Sequence, residues 1–200
     1  MKILHIISSL RGQASFSNKL GNSIIEQIRA KHPVKVKERN LASTPLPHLS
    51  DRHVTAFFTP ADERTKDQLE TIRPSDEAIA ELMEADTLVI DVPMYNFTIP
   101  STIKAWIDQI ARAGVTFKYG ENGVKGLVTN KKAYLAISTG GIYSEGFMKD
   151  FDHTEQYLRH VLGFLGITDI EVFRVEGVNL AEAKDDVFSK AKQRIEDFTF

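Results

Sequence analysis

The chain has 200 residues, 42% hydrophobic and 26% charged, with a formal net charge of -2 and no cysteine. That length carries one sizeable core, and a near-neutral balance without a basic run argues against a nucleic-acid binder. Without cysteine there is no disulfide, thiolate nucleophile, thiolate-held zinc or iron–sulfur cluster.

Ile3 to Ile7 is apolar and β-prone, interrupted by His5, and reads as a buried strand. It follows Met1 and Lys2 directly, with no apolar region leading to a cleavage site, so the cytoplasm is the expected location. Ser8 to Ser17 reads as a loop. The next helix places Leu20, Ile24, Ile25 and Ile28 on one face and stops before Pro33. Val34 to Glu38 alternates and suits a second strand. Residues 41 to 73 form a connection too long for a plain loop, and a helix is expected over Ala61 to Ile72. This stretch is either a surface insertion or a flap near a site, with Phe57 and Phe58 as apolar lining.

The core pattern resumes with an amphipathic Ser75 to Glu84 and a buried strand over Thr87 to Val92. Pro100 to Arg112 predicts a helix with Ile103, Trp106, Ile107 and Ile110 inward and Gly114 at its C-terminus. Phe117 to Val128 suggests a hairpin. Ala133 to Ser138 is a strand, Thr154 to Leu165 a helix, Ile170 to Val175 a strand, and Leu180 to Phe198 a closing helix. Strands and helices alternate. The expected fold is α/β, a doubly wound five-stranded parallel sheet with helices on both faces, forming one domain over residues 1–200. No apolar run approaches the roughly 18 residues needed to span a bilayer.

Ligands of such sheets bind beyond the carboxyl ends of strands, where the strand order reverses. Ser8, Ser9, Ser15 and Ser17 lie between the first strand and its helix. The helix N-terminus and the hydroxyls suit a phosphate, although Ser15 or Ser17 could simply cap the helix. There is no GxGxxG turn and no P-loop lysine motif. Met94, Tyr95, Asn96 and Phe97 follow the third strand and suit a flat aromatic ligand, or tuck into the core. Ser138, Thr139, Gly140 and Gly141 follow the fourth, where paired glycines admit a ligand or make an ordinary turn. The six histidines show no metal-ligand spacing. His5 reads as a core histidine, and His153 and His160 as solvated. No metal site or hydrolytic apparatus is visible, so a bound cofactor is expected to carry the chemistry.

These segments carry a resemblance. MYNF at Met94 to Phe97, KAWIDQIARAGVTFKY at Lys104 to Tyr119, GLVTNKKA, SSLRGQASFS and STGG together resemble the FMN-dependent NADH-azoreductase and quinone reductase family over essentially the full length. Older labels called some of its members acyl carrier protein phosphodiesterases. The resemblance implies a flavodoxin-like fold and FMN as cofactor. It assigns the FMN phosphate to Ser9, Ser15, Ser17 and the Phe16 N–H. Met94, Tyr95, Asn96 and Phe97 are implied at the ribityl chain and ring, with Ser138, Thr139, Gly140 and Gly141 on the other side. It also implies a homodimer whose sites are completed by the neighbouring subunit, with Phe117 roofing the flavin and Tyr119 and Tyr143 in the substrate pocket. Phe16, Thr139 and Tyr143 differ from residues common in relatives, which bears on acceptor and pyridine-nucleotide preference.

The implied activity is two-electron reduction of quinones and azo compounds by NADH or NADPH in ping-pong order, with no obligatory protein acid or base. A flavodoxin-type electron carrier is the alternative; such carriers typically show an acidic docking surface, and the near-neutral charge balance disfavours it. Phosphodiester hydrolysis lacks a visible nucleophile or metal centre.

Overall fold

The computed structural model describes residues 1–121, 123–180 and 184–200, with the side chains of Gln13, Lys184 and Asp185 left aside. Five strands build one parallel sheet: β1 (Lys2–Ile7), β2 (Lys35–Asn40), β3 (Thr87–Pro93), β6 (Lys132–Ser138) and β7 (Asp169–Val175). Their order is β2-β1-β3-β6-β7, as expected for a doubly wound sheet. The chain steps outward from β1 to β2, then returns to the other side of β1 as β3. That reversal opens a crevice beyond the carboxyl ends of β1 and β3. β4 (Phe117–Gly120) and β5 (Gly123–Gly126) form a separate antiparallel hairpin, within the stretch where one was expected.

Alternation along the strands divides the core in two. Leu4, Ile6, Leu88, Ile90, Val92, Leu135 and Ile137 face one side. There they meet α3 (Lys66–Glu84), α4 (Ser101–Ile110) and α5 (Thr154–Leu165) through Ile79, Leu82, Trp106, Ile110, Leu158 and Leu162. Ile3, Val89, Tyr134, Ala136 and Phe173 face the other, under α1 (Phe16–Lys31) and α6 (Lys184–Glu196). Leu20, Ile24 and Ile28 of α1 are at most 2% exposed, as their helical spacing predicts. The part of the closing helix expected over residues 181–183 lies outside the described residues, and Leu180 precedes the helix.

The long connection departs from expectation. It contains α2 (Asp51–Phe58), a 3-10 turn at Ala61–Glu63, and then α3, which runs unbroken through Pro74. The expected separate pieces, Ala61 to Ile72 and Ser75 to Glu84, are therefore one helix beginning at Lys66. A capping box sets its start: Thr65 Oγ1 accepts from Gln68 N–H, and Gln68 Oε1 accepts from Thr65 N–H. Proline inside a helix removes a hydrogen bond and crowds the preceding turn, at about 3 kcal/mol. Tertiary contacts offset that cost. Ile72, Ser75, Ala78, Ile79 and Leu82 are buried on one face. The Ser75 hydroxyl donates to the Gln109 carbonyl at 2.5 Å, and the Arg112 guanidinium bonds both Ser75 Oγ and the Asp76 carboxylate.

α4 ends at Ile110, two residues short of the expected Arg112. The Thr116 hydroxyl donates to the Ile110 carbonyl and accepts from the Arg112 N–H, closing the helix end. Gly114 (φ 78°) serves the turn beyond rather than the helix terminus itself. Among the described residues, no helix is long and apolar enough to cross a membrane.

Candidate active site

The carboxyl ends of β1, β3 and β6 deliver three loops to one cleft of about 180 Å³. Ser9, Arg11, Ser15 and Phe16 form one wall, and Pro93, Met94 and Tyr95 the next. Ser138, Thr139 and Gly140 form the third, joined by Val178 and Asn179 from the segment after β7. Eight residues singled out in the sequence thus meet at one place: Ser9, Ser15, Phe16, Met94, Tyr95, Ser138, Thr139 and Gly140.

The serines divide by role. Ser8 is fully buried and its hydroxyl donates to the Asp91 carbonyl at 2.7 Å, tying β1 to β3. Ser15 is the N-cap of α1, its Oγ accepting from Asn18 N–H at 3.3 Å. Capping does not exhaust it, because Ser15 Oγ also shares a 3.0 Å hydrogen bond with Ser17 Oγ. Ser17 is wholly buried behind Ser15 and does not reach the cleft wall. Ser9 Oγ accepts from the Arg11 N–H. Among the described residues, the N–H groups of Phe16 and Ser17 have no hydrogen-bond acceptor and the Arg11 guanidinium has no acidic partner. The first turn of α1 carries no acidic side chain. Free N–H groups, the positive end of the helix dipole and a cation therefore converge, which is the chemistry of an anion site.

The second loop is strained. Tyr95 and Thr98 exchange both backbone hydrogen bonds, at 2.9 and 3.2 Å, enclosing Asn96 and Phe97 as a two-residue turn. Both central residues have positive φ, 48° and 71°. This is the primed turn that favours Asn-Gly, and here phenylalanine takes the second position. Left-handed backbone at a phenylalanine costs about 1–2 kcal/mol, and such strain clusters at ligand sites. Asn96 does not face the cleft. It lines an adjoining cavity of about 680 Å³ with Leu10, Ile99, Lys104 and Tyr157, and Tyr95 borders both spaces.

The third loop is zipped to the segment after β7. Thr139 N–H donates to Val175 O, Val178 N–H to Thr139 O and Asn179 N–H to Gly140 O. A Cβ on Gly140 would lie 2.5 Å from Asn179 Nδ2, so a larger residue there would displace the Asn179 amide. Gly141 stands one residue behind, its carbonyl accepting from the Thr139 hydroxyl at 2.7 Å.

The remaining sequence candidates lie elsewhere. Tyr143 stacks edge-on to Phe97 with ring centroids 6.4 Å apart, and neither lines the phosphate-like cleft. Phe117 and Tyr119 line a different cavity of about 240 Å³ with Phe57 and Phe58. His153 and His160 are exposed. His5 is buried, bonded through Nε2 to the Asp91 carboxylate at 2.8 Å. Burial raises the Asp91 carboxyl from its ordinary 3.8 to about 6, with the His5 hydrogen bond pulling the other way.

A family model described as a flavodoxin-like fold matches residues 1–198. The FMN-dependent NADH:quinone oxidoreductase of Mesorhizobium japonicum is 44% identical over 198 residues, 98% of this chain and 94% of that protein. FMN-dependent NADH:quinone oxidoreductase 1 of Idiomarina loihiensis is 43% identical over 197 residues, 98% of this chain and 99% of that protein. The chain belongs to this flavodoxin-like oxidoreductase family. Solved structures agree with the assignment. The azoreductase from Bacillus anthracis str. Sterne superposes with a TM-score of 0.90 at 28% identity, covering 98% of this chain and 96% of its own. The FMN-dependent NADH-azoreductase from Bacillus anthracis str. Ames Ancestor, solved in complex with FMN, gives 0.88 at 25% identity, covering 98% and 97%.

Within this flavodoxin-like member, sequence reading overlooked Arg11, Pro93, Val178 and Asn179 on the cleft wall. Arg11 lies inside the serine loop, where hydroxyls are the more numerous anion-binding signal. Val178 and Asn179 follow the fifth strand, whose carboxyl end also reaches the active edge. The Gly177-Val178-Asn179 turn after that strand was the available signal, and Gly177 does take positive φ.

Proposed function

We propose that the protein is an FMN-dependent oxidoreductase of the cytoplasm that passes two electrons from NADH or NADPH to quinones and azo compounds. The observation that carries this reading is a cleft at an anion-seeking helix N-terminus that meets, at Tyr95, the cavity bordered by the strained turn. A phosphorylated, flat aromatic cofactor matches both ends of that arrangement. The names of the relatives and the FMN-bound structural neighbour support FMN as that cofactor.

The chain's residues fit the group. Ser9, Ser15, the N–H groups of Phe16 and Ser17 and Arg11 would hold the phosphate, with the Ser17 hydroxyl supporting Ser15 from behind. Met94, Tyr95, Asn96 and Phe97 would flank the ribityl chain and ring from one side, and Ser138, Thr139, Gly140 and Gly141 from the other. When bound, FMN supplies reversible two-electron redox chemistry. The protein's part is positioning: hydroxyls and N–H groups fix one end, and Tyr95, at the edge of the strained turn, presents an aromatic wall at the other. The described cleft wall carries no carboxylate and no histidine, so no side chain there is assigned as an obligatory acid or base. Donor and acceptor would enter the one cleft in turn, which is ping-pong order.

A second copy of the chain completes each site in this reading. Tyr119 is 73% exposed and Phe58 77%, and together with Phe117 they form an aromatic group apart from the chain's own cleft. Such a group suits the roof of a partner's site.

The test is spectroscopic and kinetic. The purified protein is expected to be yellow, to bleach with NADH and to recover its colour with a quinone, unaided by a second protein. Parallel double-reciprocal lines are expected in steady state, and converging lines would overturn the ping-pong order. Light scattering reports the dimer. A colourless protein that FMN does not reconstitute would sink the assignment, and NADH oxidation needing a separate reductase would favour the electron carrier.

A further inference from the structure

The loop between Ile142 and His153 is bolted at both ends to one cation. The Arg174 guanidinium, 13% exposed, bonds Asp152 at 2.5 Å and Glu155 at 2.9 Å, and lies 3.5 Å from Glu176. Glu176 Oε1 in turn accepts from the N–H groups of Tyr143 and Ser144, at 2.8 and 3.0 Å. At the far end the His153 N–H donates to the Phe97 carbonyl at 3.0 Å, joining the loop to the strained turn. Burying this much charge is costly, and the close pairing that offsets the cost fixes both ends of the loop.

What the bolts display is apolar. Phe147 is 83% exposed, Phe97 43% and Phe151 38%. Their rings form a row: Phe147 to Phe151 at 5.5 Å between centroids, then Phe151 to Phe97 at 5.6 Å. The row starts at the turn residue Phe97, held at φ 71°, and runs outward. Phenylalanine fixed in water by buried ion pairs and backbone strain marks a ligand surface. The row is one ring wide, and Glu145, Lys149 and Asp150 on the same loop are exposed. Protein interfaces bury about 800 Å² per partner around a core depleted of charge, which a narrow row within a charged loop does not offer. A slender apolar chain leading away from the site fits it.

We infer that Phe97, Phe151 and Phe147 form a specificity track for the apolar side chain of an alkyl- or prenyl-substituted quinone. The inference rests on the proposed quinone reduction and adds to it the class of acceptor. Phe147 and Phe151 lie outside the cofactor cleft and act only on the acceptor's tail. Each methylene buried on such a surface adds affinity, up to about fourfold at full burial and less on an open track.

The experiment measures kcat/KM with NADH for benzoquinones carrying no substituent, a methyl group or a decyl chain. For the wild-type enzyme the decyl quinone is expected to exceed the methyl by at least about tenfold. Phe147→Ser, at a side chain exposed enough to leave folding intact, is expected to cut that ratio at least threefold. Its rate with unsubstituted benzoquinone should stay within about twofold of wild type. Phe151→Ser should show the same pattern. Wild-type rates that ignore chain length, or variants that keep the full ratio, would overturn the track. So would a change of oligomeric state in Phe147→Ser, which would mark the row as an interface between copies. Failure to reduce any quinone is a separate result and strikes the proposed function itself.

Discussion

Phe97 shows how much a single residue can carry. Its backbone sits in the left-handed region while its ring contacts Tyr143 and Phe151. Two substitutions separate backbone from ring, because both remove the ring. Glycine accepts positive φ freely, whereas β-branched valine resists it. Phe97→Gly is therefore expected to be more stable than Phe97→Val by about 2 kcal/mol, read from urea midpoints. Both should lose quinone turnover if the ring shapes the reactive face. Asp91 offers a second test. Its folded-state pKa of about 6 stands above the ordinary 3.8, so between those values the folded state holds a proton that the unfolded state releases. The corresponding stability is fully present below about pH 4 and is lost as pH rises through 6. His5 on β1 is bonded to this carboxyl and Glu38 on β2 acts on it through charge. Asp91→Asn is expected to flatten the decline in unfolding midpoint between pH 4 and 6. An unchanged slope would place that titration elsewhere. Gly21 belongs to the same device: a Cβ there would sit 1.9 Å from Asp91 Oδ1, so glycine lets α1 lie directly on the buried pair.

At the scale of elements, α3 is the instructive case. Pro74 signals a break, yet the helix continues because its buried face and the bonds from Ser75 and Arg112 to neighbouring elements outweigh the missing hydrogen bond. Pro74→Ala restores an N–H to the helix while freeing the unfolded chain slightly. The expected net gain is about 1–2 kcal/mol in unfolding free energy, checked by urea denaturation, with no change in reductase activity. A loss of stability would show that the proline shapes the contact with α4. The Thr65–Gln68 capping box was legible as T-x-x-Q in the sequence, and it locates the start of α3 better than the spacing of apolar residues did.

The whole molecule gathers its site from four strand ends, at the one place where the sheet order reverses. A cofactor bound only by the folded state adds stability by mass action, about 2.7 kcal/mol at a hundred times its Kd. Thermal melts are therefore expected to rise with FMN concentration and to fall when FMN is stripped. A melting temperature indifferent to FMN would argue against the cleft as its site.

Local signals in this sequence are strong where one residue type has one physical use. Short, mainly apolar, β-prone runs at Ile3 to Ile7, Thr87 to Val92 and Ala133 to Ser138 suit strands covered on both faces, and their alternation with helices implies a parallel sheet. Serines before a helix and aromatics after a strand likewise announced the two sides of the cleft. Tertiary structure decided what depends on neighbours distant in sequence. Ser8 and Ser15 are the same residue type in the same loop, yet one bonds the β3 backbone and the other caps α1 at the cleft, because Ser8 directly follows β1 whereas Ser15 stands at the start of α1. Asp91 could not be paired with His5, nor Asn179 with Gly140, until strands 86 residues apart or loops from different strands were brought side by side. Hydrogen bonds and charges act over a few ångströms of space, and only the fold converts separation along the chain into that distance.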